Sequence, residues 1–190
     1  MPVAKLIAIG GLILFELFVA GLTLFPRVDE RYQAVFIDRT SECWLHPVSG
    51  RIAFDEPVSM LGTEKVLADA AKAILRCGWL NPDGNGMWSV GPESRLLLQV
   101  PPGQAARLEL DLRAFWHTQR IDITANGQPL TEWTLTTDTR QQSLPLPATG
   151  DGRIELAFHF RDAVSPRELG LLADRRALAI QLLAVTLRKD

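Results

Sequence analysis

A two-residue hydrophobic period in the second half of the chain constrains the fold more than any other feature. Between Leu108 and Arg113, every leucine is followed by a charged residue. Successive side chains of a strand point to opposite faces of a sheet, so this alternation predicts one buried and one solvated face. The same reasoning predicts strands over residues 95–100, 106–116, 120–125, 130–136, 142–146, 153–160 and 178–188.

Turn signals separate the predicted strands. Asn126-Gly127 is typical of a tight hairpin, and residues 150–152 mark a further turn. Many short strands at regular spacing predict a mainly β, antiparallel sandwich or barrel. One soluble helix is expected over residues 63–76, where Thr63 can cap the first turn and apolar residues recur at helical spacing until Gly78.

The N-terminus carries a long apolar run. Residues 6–25 contain one charge, Glu16, and the run ends at Pro26. At about 1.5 Å rise per residue, a helix of this length matches a hydrocarbon core of about 30 Å. The alternatives are a cleaved signal peptide, whose apolar region is usually shorter, and a buried core helix. We expect a single transmembrane helix, with the anchor at residues 1–26, a connecting segment with short strands at 27–62 and the sandwich at 63–190.

The orientation of this anchor depends on opposing signals. Arg27, Arg31 and Arg39 follow the run and would, by the positive-inside rule, hold the domain in the cytoplasm. The tail before the helix is short, however, and a sandwich is common on cell surfaces. Cys43 and Cys77 fit either one disulfide in an oxidising compartment or two buried thiols. We expect the domain on the outer, periplasm-like side.

Glu16 indicates a partner within the membrane. A carboxyl group near the middle of a transmembrane helix is costly and usually faces another protein, a cavity or water. Leu12, Ala20 and Thr23 share its helical face. The four residues are predicted to contact a membrane partner; the alternative is a protonated Glu16 that faces lipid.

The sequence offers no catalytic constellation. The net charge is −2 and the basic residues are scattered, which excludes the concentrated basic footprint of a nucleic-acid binder. His46, His117 and His159 lie far apart, and none has the spacing of a metal ligand. Nucleophile-elbow, P-loop and dinucleotide motifs are missing. We expect no catalytic residue, no metal and no cofactor.

Two stretches, residues 77–91 and 164–182, carry unusual motifs. The motif residues are Gly78, Trp79, Pro82, Gly86, Trp88, Ser89 and Gly91 in the first stretch, and Ser165, Pro166, Glu168, Leu169, Gly170, Asp174, Arg176 and Leu178 in the second. With the strands between them, they resemble a jelly-roll β-sandwich, a carbohydrate-binding-like module attached to bacterial membrane glycosyltransferases and envelope-polysaccharide enzymes. The resemblance covers roughly residues 77–189.

This resemblance implies a jelly-roll-like sandwich on the periplasmic side of a bacterial inner membrane, with Trp79, Asp83 and Trp88 as ligand-binding candidates. Sugar rings stack their apolar side on aromatic faces and bind polar groups through their hydroxyls. The chain departs from the family where Asp83 replaces a glutamate, Asn85 an aromatic residue and Ala179 a glycine. The ligand site of the family is therefore partly degraded.

A purely structural interpretation of the motif residues stays open. Trp79 and Trp88 could pack in the core rather than meet a ligand. Asp174 and Arg176 are expected to bridge or cap a turn before the last strand, and Glu168 to accept from backbone donors in the same corner.

Three functions follow from these features. The leading hypothesis is a non-catalytic accessory subunit whose helix docks into an integral membrane protein complex in the lipid bilayer, with the sandwich packed on that complex. The alternative is a glycan-binding subunit of an envelope-polysaccharide biosynthesis system. A hydrolase or transferase would need two carboxylates facing each other across a cleft, which the sequence does not indicate.

Overall fold

The structure is a computed structural model that describes residues 3–24, 37, 43, 48–63, 66–82 and 84–190. Two helices lie in these ranges, α1 (Val3–Leu24) and α2 (Asp69–Ile74). The strands there are β1 (Pro57–Ser59), β2 (Met87–Trp88), β3 (Glu93–Gln99), β4 (Ala106–Ala114), β5 (Gln119–Ala125), β6 (Gln128–Leu135), β7 (Gln141–Leu146), β8 (Arg153–Phe160) and β9 (Ile180–Lys189). Every segment predicted from the two-residue period overlaps one of the strands β3 to β9.

The strands form two antiparallel sheets. The larger sheet has the order β1, β9, β4, β7, and β2 pairs with β9 on the same side as β1. The smaller sheet has the order β3, β8, β5, β6. Some strands that follow each other in sequence, such as β3 and β4, lie in different sheets, whereas β5 and β6 pair within the smaller sheet. The predicted antiparallel β-sandwich is confirmed.

The core lies between the two sheets. Leu108, Leu110 and Leu112 on β4 are at most 1% exposed, and Ile121 and Ile123 on β5 are each 1% exposed. The apolar side chains of both strands thus point into one shared core cluster. The intervening polar residues stand on the outer faces, as the two-residue period predicts.

The prediction of a helix over residues 63–76 is wrong in its extent. Thr63 does not cap α2: its carbonyl accepts from the amides of Val66 and Leu67 in a separate turn, at 2.9 and 2.8 Å. At the other end, Leu75 is extended, with φ −76° and ψ 133°, and forms a bridge with Leu96 of β3. Pairing with β3 satisfies the backbone hydrogen-bonding groups of this segment. The chain therefore leaves the helix before Leu75 instead of adding a last helical turn.

The segment predicted as a connection contributes to the sandwich. β1 belongs to residues 27–62 and yet pairs with β9, so the sheet includes residues before the predicted domain start at residue 63. Gly50 donates its N–H to the Ala73 carbonyl at 2.8 Å and accepts from the Gln99 amide at 2.7 Å. Cys43 and Cys77 form a disulfide, which joins this segment to the first motif.

α1 occupies the predicted apolar run, and its side chains over residues 10–19 are exposed. Within the ranges that the structure describes, no helix combines the length and apolar character needed to cross a membrane. The transmembrane anchor stays a prediction. Leu12 and Glu16 are exposed, Ala20 is half-buried and Thr23 lies on the same helix. Their contact with a membrane partner stays a prediction.

Candidate functional site

The first motif folds as a narrow hairpin. The Leu80 amide donates to the Trp88 carbonyl at 2.9 Å, and the Val90 amide donates to the Gly78 carbonyl at 2.8 Å. Between them, Trp79 and Ser89 form an antiparallel bridge. The returning arm of the hairpin contains β2, which pairs with β9 at the edge of the larger sheet.

Several motif residues have structural roles. Gly78 has φ +87°, and a Cβ there would lie 2.0 Å from the Glu93 carbonyl oxygen, so only glycine fits. The Ser89 hydroxyl is fully buried and accepts from the amides of Ala179 and Ile180, at 3.1 and 2.9 Å. Ser89 thereby ties the first motif to the second, which lies far away in sequence.

The second motif contains a reciprocal cap. Glu168 accepts from the backbone amide and the hydroxyl of Ser165, at 2.9 and 2.8 Å, while the Glu168 amide donates to the Ser165 hydroxyl at 3.2 Å. This is the arrangement of a capping box. The hydrogen bond from the Ser165 amide is the largest cause that lowers the pKa of Glu168, and the bond from the Ser165 hydroxyl is the second. The predicted role of Glu168 as an acceptor of backbone donors is confirmed.

Asp174 and Arg176 form the second fixed unit of this motif. Asp174 accepts from the Arg176 amide at 2.9 Å and from its guanidinium Nε and Nη2, the latter at 2.8 Å. The side-chain hydrogen bond from Arg176 is the largest cause that lowers the pKa of Asp174. The predicted bridge before the last strand is thus confirmed, and it holds one carboxylate and one guanidinium in a defined orientation.

The two motifs meet at a cavity of about 370 Å³, which we call the motif pocket. This volume falls within the range of about 300–1,000 Å³ that is usual for small-ligand sites. Trp88 and Phe115 form one wall, edge to face, with ring centroids 5.5 Å apart. The lining residues are Leu80, Asn81, Trp88, Phe115, Pro166, Leu172, Asp174, Arg176 and Leu178.

The structure separates the three ligand candidates of the first motif. Trp79 is fully buried and donates its indole N–H to the Arg95 carbonyl at 2.8 Å, so its ring is closed to a ligand. The core interpretation is the correct one for Trp79. Trp88 is half-buried and lines the motif pocket. Asp83 lies outside the described residues.

Sequence reasoning missed Phe115, which completes the aromatic wall. The sequence did contain a signal for it. In the two-residue alternation of β4, Phe115 falls in the same register as Glu109, Asp111 and Arg113, whose side chains point away from the core. An aromatic residue on the polar phase of a strand predicts an outward-facing ring. Asn81 and Leu172 line the same pocket from loops, and no sequence pattern placed them there.

The motif pocket is suited to holding a ligand rather than to acid–base chemistry. Among its described lining residues the single carboxylate is Asp174, and the hydrogen bond from Arg176 lowers its pKa. An aromatic wall provides a stacking surface, while an amide, a carboxylate and a guanidinium offer hydrogen bonds. Such a combination fits a ligand with one apolar face and several hydroxyls.

No family model and no curated protein sequence matches this chain. Several solved structures are similar to it at low identity. The EclA C-terminal domain, a sugar-binding protein, is 11% identical with a TM-score of 0.35, over 55% of this chain and 70% of that one. Carbohydrate-binding module CBM36, in complex with calcium and xylotriose, is 12% identical with a TM-score of 0.36, over 58% and 86%.

A family 43 arabinoxylan arabinofuranohydrolase from Bacillus subtilis, in complex with cellotetraose, is 9% identical with a TM-score of 0.36. The match covers 57% of this chain and only 22% of that enzyme. The structural neighbours thus include carbohydrate-binding β-sandwich modules. At these identities and TM-scores, the likeness carries no argument about a ligand or an activity.

Proposed function

We propose that this chain is a non-catalytic glycan-binding protein and that the motif pocket is its sugar site. The observation that carries the proposal is the juxtaposition of Trp88 and Phe115 with Asp174, Arg176 and Asn81 in one cavity. Sugar rings have an apolar side that stacks on aromatic faces, and hydroxyls that need directional polar partners. The pocket supplies both kinds of contact side by side.

The ion pair in the pocket favours binding in a second way. Its members are partly open to solvent, with the Asp174 and Arg176 side chains 26% and 41% exposed. Because each already holds the other in place, a ligand that hydrogen-bonds to them would lose less side-chain freedom on binding. A preorganised, half-open charge pair is therefore a good anchor for sugar hydroxyls.

The glycan-binding hypothesis takes precedence over the accessory-subunit hypothesis. The pocket supports the former, whereas no observation on the described residues favours a membrane complex as partner. We place the protein in an envelope-polysaccharide system, on the periplasmic side of a bacterial membrane. The Cys43–Cys77 disulfide supports this location, because disulfides persist in oxidising compartments. The proposed activity needs no metal or cofactor.

Affinity electrophoresis of the full chain, in a mild non-ionic detergent, tests the proposal with gels that contain xylan, hydroxyethylcellulose, mixed-linkage glucan or alginate. Retardation by at least one polysaccharide is expected. The Trp88→Ala substitution should weaken that binding about tenfold or more, since it removes a stacking surface and about 1.4 kcal/mol corresponds to tenfold.

The matched control is Trp133→Ala. Trp133 is also half-buried, but it packs beside Phe158 on the smaller sheet, with ring centroids 6.3 Å apart. This control should lower stability and leave retardation intact. If no polysaccharide retards the native protein, or if both substitutions weaken binding equally, the motif pocket is not a sugar site.

A further inference from the structure

The outer face of the larger sheet carries rows of polar side chains next to the motif pocket. The strand register places Trp88, Gln181 and Arg113 in one row across β2, β9 and β4. Further along the same strands, Ala184, Asp111 and Gln141 form a second row, and Thr186, Glu109 and Ser143 form a third. The β4 members of these rows alternate with the buried leucines of that strand, so the rows lie on the outer face of the sheet. Within the rows, Gln181 and Thr186 are covered by their neighbours and are only 1% and 9% exposed.

A second cavity of about 260 Å³ lies over the second and third rows. We call it the sheet groove. Its lining residues are Glu109, Leu110, Asp111, Gln141, Gln142, Ser143, Ala184, Thr186 and Arg188. The volume is below the range of about 300–1,000 Å³ for a self-sufficient ligand site, so the sheet groove is too small to serve alone. It is suited to extending a neighbouring site.

The first row lies between the two cavities. Trp88 lines the motif pocket, and the Arg113 guanidinium lies 6.0 Å from the centre of its ring. Arg113 also donates from Nε to the Gln181 side chain, which fixes the row. Asp111, two residues before Arg113 on β4, lines the sheet groove. Since two residues span about 7 Å along a strand, the cavities are neighbours on one face.

Three polar side chains of the sheet groove are available to a ligand. Arg188 is engaged, because it pairs with Glu109 at 2.9 Å and with Asp55 at 3.3 Å. In the part of the chain that the structure describes, the side chains of Asp111, Gln141 and Ser143 make no hydrogen bond to another residue. They present a carboxylate, an amide and a hydroxyl to solvent, which together can donate to and accept from sugar hydroxyls.

The geometry points to one continuous binding surface, in which the motif pocket holds one end of an oligosaccharide and the sheet groove binds the following sugar units. This inference rests on the proposed function and names its substrate class, an extended and uncharged glycan chain. The charge of the groove favours an uncharged chain. Glu109 is neutralised by Arg188, whereas Asp111 has no cationic partner among the described residues and would repel a uronate carboxylate.

Isothermal titration calorimetry with cello- and xylo-oligosaccharides from one to six units tests the inference on the full chain in mild detergent. Affinity should rise from the disaccharide to the hexasaccharide. The substitutions Asp111→Asn and Gln141→Ala together should lower hexasaccharide affinity about tenfold, which is the effect of losing about 1.4 kcal/mol of contacts. Disaccharide affinity should stay unchanged. Thr134→Ala, on the exposed face of the smaller sheet, is the control and should change neither affinity.

The outcomes separate this inference from the proposed function. If affinity is independent of chain length, or if the double substitution weakens short and long oligomers alike, the continuous surface is refuted while sugar binding in the motif pocket stands. If no oligomer and no polysaccharide binds, both fall. Alginate, a polyuronate, should bind more weakly than the neutral chains; equal or tighter binding would refute the uncharged substrate class. Urea unfolding of each variant confirms that it is folded.

Discussion

At the scale of single residues, the two tryptophans of the first motif show how neighbouring positions acquire different roles. Trp79 and Trp88 lie on opposite arms of one hairpin and differ in burial, because the core closes over Trp79 while Trp88 stands on the outer face of the sheet edge. This arrangement depends on the glycine that precedes Trp79. Gly78 lets the hairpin pass against β3, where its carbonyl accepts from the buried Ser94 hydroxyl.

We expect Gly78→Ala to destabilise the sandwich strongly. Gly127→Ala is a matched control, because Gly127 has a similar φ of +77° but no atom lies within 4 Å of the position that a Cβ would take there. The control should cost about 1–2 kcal/mol for the left-handed backbone alone. Gly78→Ala should cost at least about 2 kcal/mol more, since the methyl group meets backbone of β3. Urea unfolding measures both, and equal losses would contradict the close approach.

At the scale of elements, β9 organises the site. It pairs with β1 and β2 on one side and with β4 on the other. The first motif, the second motif and the sheet groove therefore all lie on or beside this one strand. In the smaller sheet, β5 and β8 are joined at one end by Asp162, just beyond β8. Asp162 accepts from the backbone amide of Arg120 at 2.9 Å and from its guanidinium at 2.8 and 2.6 Å.

This contact predicts a specific acid sensitivity. The side-chain hydrogen bond from Arg120 is the main cause that lowers the pKa of Asp162 from 3.8 to about 2. A carboxyl group with a depressed pKa in the folded state stabilises it above the unfolded pKa, and this contribution disappears as the pH falls through about 2. The contact is largely exposed, so it contributes at most about 1 kcal/mol.

The Asp162→Asn substitution should therefore lower the urea midpoint most above about pH 4, and the difference from the native protein should vanish only below about pH 2. Asp138→Asn, which changes an exposed carboxylate between β6 and β7, is the control and should follow the native protein throughout. A difference for Asp162→Asn that does not shrink on acidification would show that the Arg120 contact does not depend on the charge of Asp162.

At the scale of the whole molecule, stability and the proposed site belong to the sandwich. The main core cluster extends from Val58 to Leu187, and both cavities of the proposed surface are lined by residues between 80 and 188. α1, by contrast, has exposed side chains over residues 10–19. The sandwich therefore contains every described residue that the proposed binding needs.

Removal of residues 1–26 should leave glycan binding and the urea midpoint unchanged, because that segment supplies neither core nor cavity residues in the described structure. Affinity electrophoresis and urea unfolding of a chain that begins at Arg27 make this comparison. Loss of binding with an intact fold would mean that the N-terminal segment takes part in the site.

Local sequence patterns determined the strands and the position of most turns. A two-residue alternation and signals such as Asn126-Gly127 act over a few residues, so they are visible without a fold. The reciprocal contacts of Ser165 with Glu168, and of Asp174 with Arg176, are equally local and were likewise predictable. The limit of local reasoning appears at residues 63–76, where long-range pairing with β3 shortened a helix that the local pattern favoured.

Only the tertiary structure decided where a ligand can bind. The motif pocket exists because Ser89 bonds to Ala179, 90 residues away in sequence, and brings two loops together. The sheet groove likewise depends on the register of β4 with both β9 and β7. Which distant segments pair is set by the shared packing of a whole core, and no short stretch of sequence contains that information. The sequence thus contained the residue types of the site, while the fold decided which of them lie next to one another.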